Sequence, residues 1–205
     1  MYQPIKRLLD IIFAVLLAIV FFPVWLVVPL LIWIDSGSPV IYKHQRVGQN
    51  QKAFWLYKFR TMIKNADDVL YKKNKKLLQQ FKRHDWKLKN DPRVTRLGRL
   101  LRNLTIDEFP QIINVLKGEM SLVGPRAYIA RELKEQTKKY PKTKSMMATI
   151  FTVKPGITGP WQTSGRNEIP FDKRAKMDLN YAKRYNLISD LLIILRTPKA
   201  MLSKW

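Results

Sequence analysis

The longest run of hydrophobic positions lies near the N-terminus. Residues 11–34 carry no charged side chain and consist mainly of Leu, Ile, Val, Phe and Trp. As one straight helix this segment would be about 36 Å long, enough to cross the hydrocarbon core of a bilayer. Pro23 lies near its midpoint and Pro29 follows, so we expect the helix to kink or break at Pro23. The pattern therefore predicts a membrane-inserted helix that is not straight.

The residues that flank this segment on both sides are basic: Lys6, Arg7, Lys43 and Arg46. Because basic flanks favour the cytoplasmic side, both ends of the segment are expected there. A re-entrant helix over residues 1–36 satisfies both flanks, and a simple anchor with its N-terminus outside is the alternative. Residues 37–205 would then form one domain on the cytoplasmic face. Asp10 has the helical spacing to pair with Lys6 and Arg7.

Two runs of β-type residues follow, at 40–47 and 53–59, and the short polar loop between them predicts a β-hairpin. Alternation along the second strand places Lys58 and Arg60 on one face. From residue 61 to about residue 90 the pattern becomes helical and very polar, with many lysines. This part is interpreted as a solvated helical excursion near anionic headgroups.

The most informative periodicity lies in residues 104–126. Apolar residues recur there at helical spacing, which predicts a helix with one buried face: Phe109, Ile112, Ile113 and Leu116. Pro110 belongs in a first turn, which puts Asp107 at or near the N-cap and Glu108 in the first turn. The two carboxylates either cap this helix or belong to an anion site that also needs a divalent cation or arginines.

Arginines precede the acidic pair at every third position: Arg93, Arg96, Arg99 and Arg102. Because a step of three drifts around a helix, these side chains cannot all share one face. Arg102 is nearest in sequence to Asp107, and we expect it to face the acidic pair. Arg126 follows a Gly-Pro pair, whose rigid backbone would hold the guanidinium in a direction suited to contact with phosphate.

A loop rich in Gly and Pro occupies residues 154–166. Its glycines allow close backbone approach, and Arg166 at its end is positioned to meet an anion. The loop is either an ordinary surface loop or part of the anion site. Residues 177–205 mix apolar clusters with Lys and Arg, which predicts an amphipathic helix at a membrane interface.

Composition narrows the function classes. The chain of 205 residues has no cysteine and only two histidines, which excludes disulfides, thiolate metal sites and histidine-rich zinc sites. Its formal net charge of +23 indicates an anionic partner, which is a nucleic acid, an anionic membrane surface or a phosphorylated substrate. The residues alone thus describe a membrane-inserted, helix-dominated α/β domain with an acidic pair beside several arginines.

Five motifs in their order and spacing resemble the bacterial sugar transferases, specifically the small monotopic phosphoglycosyl transferases. Lys6, Arg7 and Asp10 come before the Pro-broken hydrophobic helix. The remaining motifs are KFRTM at 58–62, DPRVT at 91–95, IDEFPQIINVLKGEMSLVGPR at 106–126 and KPGITGPWQTSGR at 154–166. The resemblance covers nearly the whole chain.

The resemblance implies a phospho-sugar transfer from a UDP-sugar to undecaprenyl phosphate, with release of UMP, on the cytoplasmic face of a bacterial inner membrane. Asp107 would be the nucleophile that forms a covalent phosphosugar intermediate, and Glu108 would hold Mg²⁺. Lys58, Arg102 and Arg126 match the family's basic residues around the diphosphate, with Arg60 and Arg166 as further candidates for substrate binding. A homo-oligomer is left open, and the sugar cannot be read from the sequence.

One departure from the family pattern concerns the break in the hydrophobic helix. Many small members have Ser directly before the break-forming proline, whereas Phe22 precedes Pro23 here. Two other classes also compete with the enzyme. A membrane-tethered nucleic-acid binder explains the charge but not the acidic pair, and it predicts salt-sensitive duplex binding. A non-catalytic membrane scaffold predicts that Asp107→Asn leaves function intact.

Overall fold

The computed structural model of the chain describes residues 2–83, 86, 88, 90–165 and 169–201. Helices dominate, as the sequence predicts. The helices before residue 104 are α1 (Tyr2–Val20), α2 (Phe22–Ser36), α3 (Ala66–Asp68), α4 (Lys75–Arg83) and α5 (Arg96–Asn103), with a π-helical turn at Val69–Lys73. The later helices are α6 (Gln111–Lys117), α7 (Ala130–Lys139), α8 (Lys144–Ile150), α9 (Phe171–Arg184) and α10 (Leu187–Met201). Short 3-10 turns lie at Gln49–Gln51, Ile106–Glu108 and Pro141–Thr143, and the strands are β1 (Ile41–Val47), β2 (Ala53–Phe59), β3 (Ser121–Val123) and β4 (Gly156–Thr158).

The hydrophobic N-terminal segment is broken at the place the prolines predict. Helices α1 and α2 meet at Phe21 with a bend of 62°, and Pro23 lies in the first turn of α2. A proline fits there because a first-turn residue needs no backbone N–H. In the part of the chain described, neither helix alone has the length and apolarity to cross a membrane, although the bent pair together does. The Phe21 ring packs edge-on against Phe109, with ring centroids 5.1 Å apart, so the bend lies beside the segment that carries the acidic pair.

The N-terminal end of α1 is fixed to the rest of the domain by its charged side chains. Lys6 Nζ lies 2.5 Å from a carboxylate oxygen of Asp190 in α10. The Arg7 guanidinium donates to the carbonyls of Val115 and Leu116, at distances of 2.5 and 2.9 Å. Those carbonyls end α6, where the helix dipole favours a cation.

Asp10 corrects a local prediction. Instead of pairing with the basic residues before it, its carboxylate accepts hydrogen bonds from Ser121 Oγ and Leu122 N, both at 3.0 Å. The carboxylate is buried, and β3 supplies the donors that make its burial tolerable. Spacing along α1 could not reveal this partner, because β3 lies far away in sequence.

The C-terminal end of α2 is also held by the domain. The Arg60 guanidinium donates to the carbonyls of Ser36, at 2.8 Å, and Gly37. Carbonyl groups at the end of a helix have no partner within the helix. The Arg60 guanidinium donates hydrogen bonds to them, and its positive charge is favourable at the negative end of the helix dipole. Both ends of the bent pair therefore contact the domain that carries the acidic turn.

The predicted hairpin is confirmed. Strands β1 and β2 are antiparallel, with Ile41 opposite Phe59 and Val47 opposite Ala53. Helix α6 is docked on β2 by Asn114, which is fully buried. Its Oδ1 accepts from Tyr57 N at 3.1 Å, and its Nδ2 donates to Trp55 O at 2.7 Å.

A second, parallel pair of strands joins two distant segments of the chain. Ser121 pairs with Gly156 and Val123 with Thr158. A Cβ atom on Gly156 would lie 2.0 Å from the backbone nitrogen of Gly124, so only glycine permits this contact. The close backbone approach predicted for the loop at 154–166 is thus a contact with the Gly-Pro-Arg segment.

The remaining helical predictions hold in part. The polar excursion after residue 61 is helical in short pieces, and it buries Leu70 and Leu77. In place of the single helix expected from residue 177, the structure has two helices. Helix α9 already begins at Phe171, and the helical conformation is interrupted between Arg184 and Leu187, where α10 begins. Residues 202–205 lie outside the described part. Large apolar side chains of α10 are exposed on the surface: Ile188 is 70% exposed and Leu195 is 75% exposed.

Candidate active site

The acidic pair lies in a 3-10 turn rather than at the start of the α-helix. The turn comprises Ile106–Glu108, and α6 begins three residues later, at Gln111, with Pro110 at its N-cap. The predicted capping position of Asp107 is therefore wrong. The predicted stripe is also only partly correct, because Ile112 is buried while Ile113 and Leu116 are about 40% exposed. The carboxylates are thus free of a capping role on α6.

Lys58 of β2 lies against both carboxylates. Its Nζ is 2.6 Å from Glu108 Oε1 and 3.9 Å from Asp107 Oδ2. Asp107 is only 4% exposed, and its Oδ1 is buried without a hydrogen-bond partner in the described structure. A buried carboxylate oxygen that lacks a donor is costly, and such a group calls for a ligand or a functional role.

The two carboxylates ionise differently. Burial, together with the negative charge of Glu108, raises the pKa of Asp107 to about 6, although Lys58 and Arg102 oppose the shift. Burial also opposes ionisation of Glu108, but the Lys58 ammonium and hydrogen bonds from Lys58 and Gln111 more than offset it, so the Glu108 pKa lies below its usual value. Near neutral pH both groups are ionised, and Asp107 is the more basic of the two.

Arg102 approaches the acidic pair from α5, as its position in sequence predicts. Helix α5 packs so closely on Thr61 that a Cβ on Gly98 would lie 2.0 Å from the Thr61 carbonyl oxygen. One turn later, Arg102 Nε donates to Thr61 Oγ1 at 2.8 Å. Its positive charge acts on Asp107 and on Glu108. The small Gly98 and the hydroxyl of Thr61 together position this guanidinium.

Arg126 approaches from the segment after β3. Its backbone N–H donates to Asp178 Oδ2 at 3.1 Å, and the same oxygen accepts from the Tyr128 hydroxyl at 2.7 Å. Its guanidinium carbon lies 5.1 Å from the centre of the Trp161 ring, a cation–π contact supplied by the Gly- and Pro-rich loop. The Arg126 charge lowers the pKa of Glu108. The loop thus belongs to the neighbourhood of the acidic pair.

One of the candidate residues, Arg60, is not brought to this site. The Arg60 side chain points to the C-terminal end of α2. Strand β2 ends at Phe59, so the alternation of side chains that would put Arg60 on the same face as Lys58 does not continue to residue 60. These contacts at the end of α2 give no support to the predicted role of Arg60 in substrate binding. Arg166 lies outside the described residues.

The residues present fit a weakly held magnesium ion. Among the residues described, no group of three or more Asp, Glu or His side chains could form a complete metal cage. Mg²⁺ commonly takes only one or two carboxylates from a protein and completes its shell with water and substrate phosphates. Glu108 and the unpartnered Oδ1 of Asp107 supply such donors.

Sequence reasoning missed three residues that build the site. Asn114 docks α6, and hence the acidic turn before it, on the strand that carries Lys58. Thr61 orients Arg102, and Arg46 of β1 has its charge coupled to Glu108. The alternation of β1 could have suggested Arg46, since a basic residue at the end of one hairpin strand faces the same region as Lys58 on the other.

Comparison with known proteins places the whole chain in one group. A family model described as bacterial sugar transferase matches residues 1–204. An undecaprenyl-phosphate galactose phosphotransferase of Salmonella typhimurium is 39% identical over 98% of this chain and 41% of its own length. A UDP-galactose-lipid carrier transferase of Erwinia amylovora is 36% identical over 98% of this chain and also 41% of its own length. The exopolysaccharide production protein ExoY of Sinorhizobium fredii is 38% identical over 97% of this chain and 86% of its own length.

The raised pKa of Asp107 predicts a stability effect. Between its usual pKa of 3.8 and about 6, the folded state binds a proton that the unfolded state has lost, so stability falls as pH rises through this window. Asp107→Asn removes the charge, and we expect it to be more stable than the wild type at pH 8, by up to about 3 kcal/mol. This gain should disappear toward pH 4 in denaturant titrations.

Asp68→Asn is the matched control for this titration. Lys72 holds the pKa of the exposed Asp68 below its usual value, so its replacement should bring no gain at pH 8. If the wild type instead gains stability over Asp107→Asn between pH 4 and pH 8, the proposed ionisation of Asp107 is wrong.

Proposed function

The chain belongs to the bacterial sugar transferases, and we propose that it transfers a phospho-sugar from a UDP-sugar to undecaprenyl phosphate with release of UMP. The observation that carries the proposal is the acidic pair beside Lys58, in which Asp107 is buried and one of its oxygens has no donor among the described residues. The names of the relatives support the two substrates, because they contain undecaprenyl phosphate and UDP-galactose. This chain spans less than half the length of those two relatives, so substrates and partners are proposals for it.

Asp107 is the proposed nucleophile. Its carboxylate oxygen attacks the β-phosphorus of the UDP-sugar, and the bond from that phosphorus to the bridging oxygen breaks, so UMP leaves with the electron pair. In the second half-reaction a phosphate oxygen of undecaprenyl phosphate attacks the same phosphorus, and the Asp107 carboxylate leaves. One phosphoanhydride is broken and another is formed, so the transfer needs no further energy source. The covalent intermediate lets a soluble donor and a lipid acceptor use the same site in turn.

The surrounding cations suit this chemistry, because phosphoryl transfer depends on positioning and on neutralised charge more than on proton transfer. Lys58 contacts the acidic pair, and the charges of Arg102 and Arg126 act on it from two other elements. Since the pKa of Asp107 is about 6, its carboxylate is ionised at neutral pH and needs no general base. Glu108 would hold Mg²⁺ together with the substrate phosphates, and the ion would neutralise charge on the diphosphate.

We also propose that α1 and α2 form a re-entrant membrane segment. Both ends of the pair contact the catalytic domain, through Lys6 and Arg7 at one end and through Arg60 at the other. Many large apolar side chains of both helices are exposed, for example Ile19, Leu26 and Ile34. A surface of this kind needs an apolar partner, and a bilayer provides one. The exposed apolar face of α10 would lie at the same interface.

Loss of the proposed nucleophile should abolish turnover. We expect Asp107→Asn to retain less than about 1% of wild-type activity, because an amide does not attack phosphorus and covalent catalysis has no substitute group here. UMP release by the detergent-solubilised protein measures this, with undecaprenyl phosphate and a panel of UDP-sugars that begins with UDP-galactose. Asp68→Asn controls for the loss of an exposed carboxylate and should be fully active. A tenth of the activity left in Asp107→Asn would contradict the assignment.

The re-entrant geometry predicts that the N-terminus and the catalytic domain share one side of the membrane. The chain has no native cysteine, so single cysteines can be placed at Gln3 and at the exposed Lys173. Both should resist an impermeant thiol reagent in intact cells and react after permeabilisation. If only the cysteine at position 3 reacts in intact cells, the segment spans the bilayer.

A further inference from the structure

Arg46 lies at the end of β1 and is fixed beside the segment that carries Arg126. The backbone N–H of Val47 donates to Tyr128 O at 2.8 Å, which ties the strand end to this segment. Arg46 Nη1 donates to the carbonyl of Ala127, the residue after Arg126, at 3.0 Å. These contacts hold two guanidinium groups in one neighbourhood, although the residues are far apart in sequence.

This arrangement is electrostatically unfavourable without a ligand. Burial, and after it the like charge of Arg126, lowers the pKa of Arg46 to about 10, which still leaves the group charged at neutral pH. Glu132 and Glu108 partly compensate the positive charge. Repulsion between two neighbouring, partly buried cations is relieved when an anion binds both of them.

Both guanidinium groups also retain unused hydrogen-bonding capacity. The Nε atoms of Arg46 and of Arg126 are buried, and neither has an acceptor among the residues that the structure describes. A buried charged donor without an acceptor is expensive, so two of them in one neighbourhood indicate a missing acceptor. Phosphate oxygens are acceptors that guanidinium groups bind well.

The register of the hairpin places the pair relative to the acidic residues. Lys58, which lies against both carboxylates, is opposite Tyr42, whereas Arg46 is opposite Phe54, four residues along the strand from Lys58. Four residues of extended chain span about 13 Å. The end of the hairpin that carries Arg46 therefore lies apart from the nucleophile, where the leaving part of the donor is expected.

We propose that Arg46 is a phosphate-binding residue, which together with Arg126 binds the nucleotide phosphate that leaves as UMP. The proposal rests on the proposed function for the identity of the donor. It adds a residue of the hairpin to the substrate-binding groups, and it explains why β1 ends against the Gly-Pro-Arg segment.

Titration of the full-length protein with UMP and, separately, with uridine tests this proposal by calorimetry. We expect Arg46→Gln to weaken UMP binding by at least roughly tenfold, the effect of losing a hydrogen bond to a charged group, and to leave uridine binding unchanged. Arg46→Lys keeps a positive charge near Glu132 but lacks the Nε donor, so it should bind UMP less tightly than the wild type. Arg99→Gln, at an exposed position on α5, is the matched control and should bind both ligands normally.

The outcomes separate this proposal from the proposed function, because UMP binding needs no turnover. Equal UMP affinity in wild type, Arg46→Gln and Arg46→Lys would overturn the role of Arg46 even if the enzyme is active. Parallel losses for UMP and uridine would also overturn it, since they would indicate a structural role. If the Arg46 variants lose affinity for UMP but not for uridine, and the wild type has no transferase activity, the phosphate site is supported and the proposed reaction is contradicted.

Discussion

Two adjacent carboxylates in a single 3-10 turn, with Asp107 buried and Glu108 partly buried, are the constraint on which this structure depends. Ionised side chains that leave water need opposite charges and hydrogen bonds, and a turn of three residues cannot supply them itself. Lys58 from β2 provides the nearest charge, at 2.6 Å from Glu108. The hairpin, α5 and the segment after β3 must therefore converge on the turn, and each of them brings a cation.

The convergence is enforced by a few close contacts that carry no catalytic chemistry. Asn114 bonds α6 to the backbone of β2, and Gly98 lets α5 lie directly on Thr61. The backbones of Gly156 and Gly124 approach so closely that a side chain on Gly156 would clash. This contact brings the loop that carries Trp161 to Arg126. In the proposed reaction these contacts position the nucleophile and the cations before the substrate arrives, so that little reorganisation is needed.

The sequence predicted those features of the structure that depend on residues close together in the chain. The break at Pro23, the hairpin and the approach of Arg102 to the acidic pair could be read from proline, alternation and proximity. The place of Lys58 at the site followed from the family resemblance. The partner of Asp10 could not be read, because its donors come from β3, and Arg60 was misplaced because its strand ends one residue earlier. The 3-10 turn escaped prediction since helix periodicity does not distinguish it from a first α-helical turn.

The central claim is that Asp107 carries the phospho-sugar between the two substrates. Isotope exchange tests it most directly: the enzyme is incubated with UDP-galactose, Mg²⁺ and labelled UMP, without any polyprenyl phosphate. A covalent intermediate predicts that label enters UDP-galactose, and that Asp107→Asn shows no exchange. If the wild type shows no exchange, yet releases UMP from the same donor once undecaprenyl phosphate is added, transfer is direct and Asp107 is not the nucleophile.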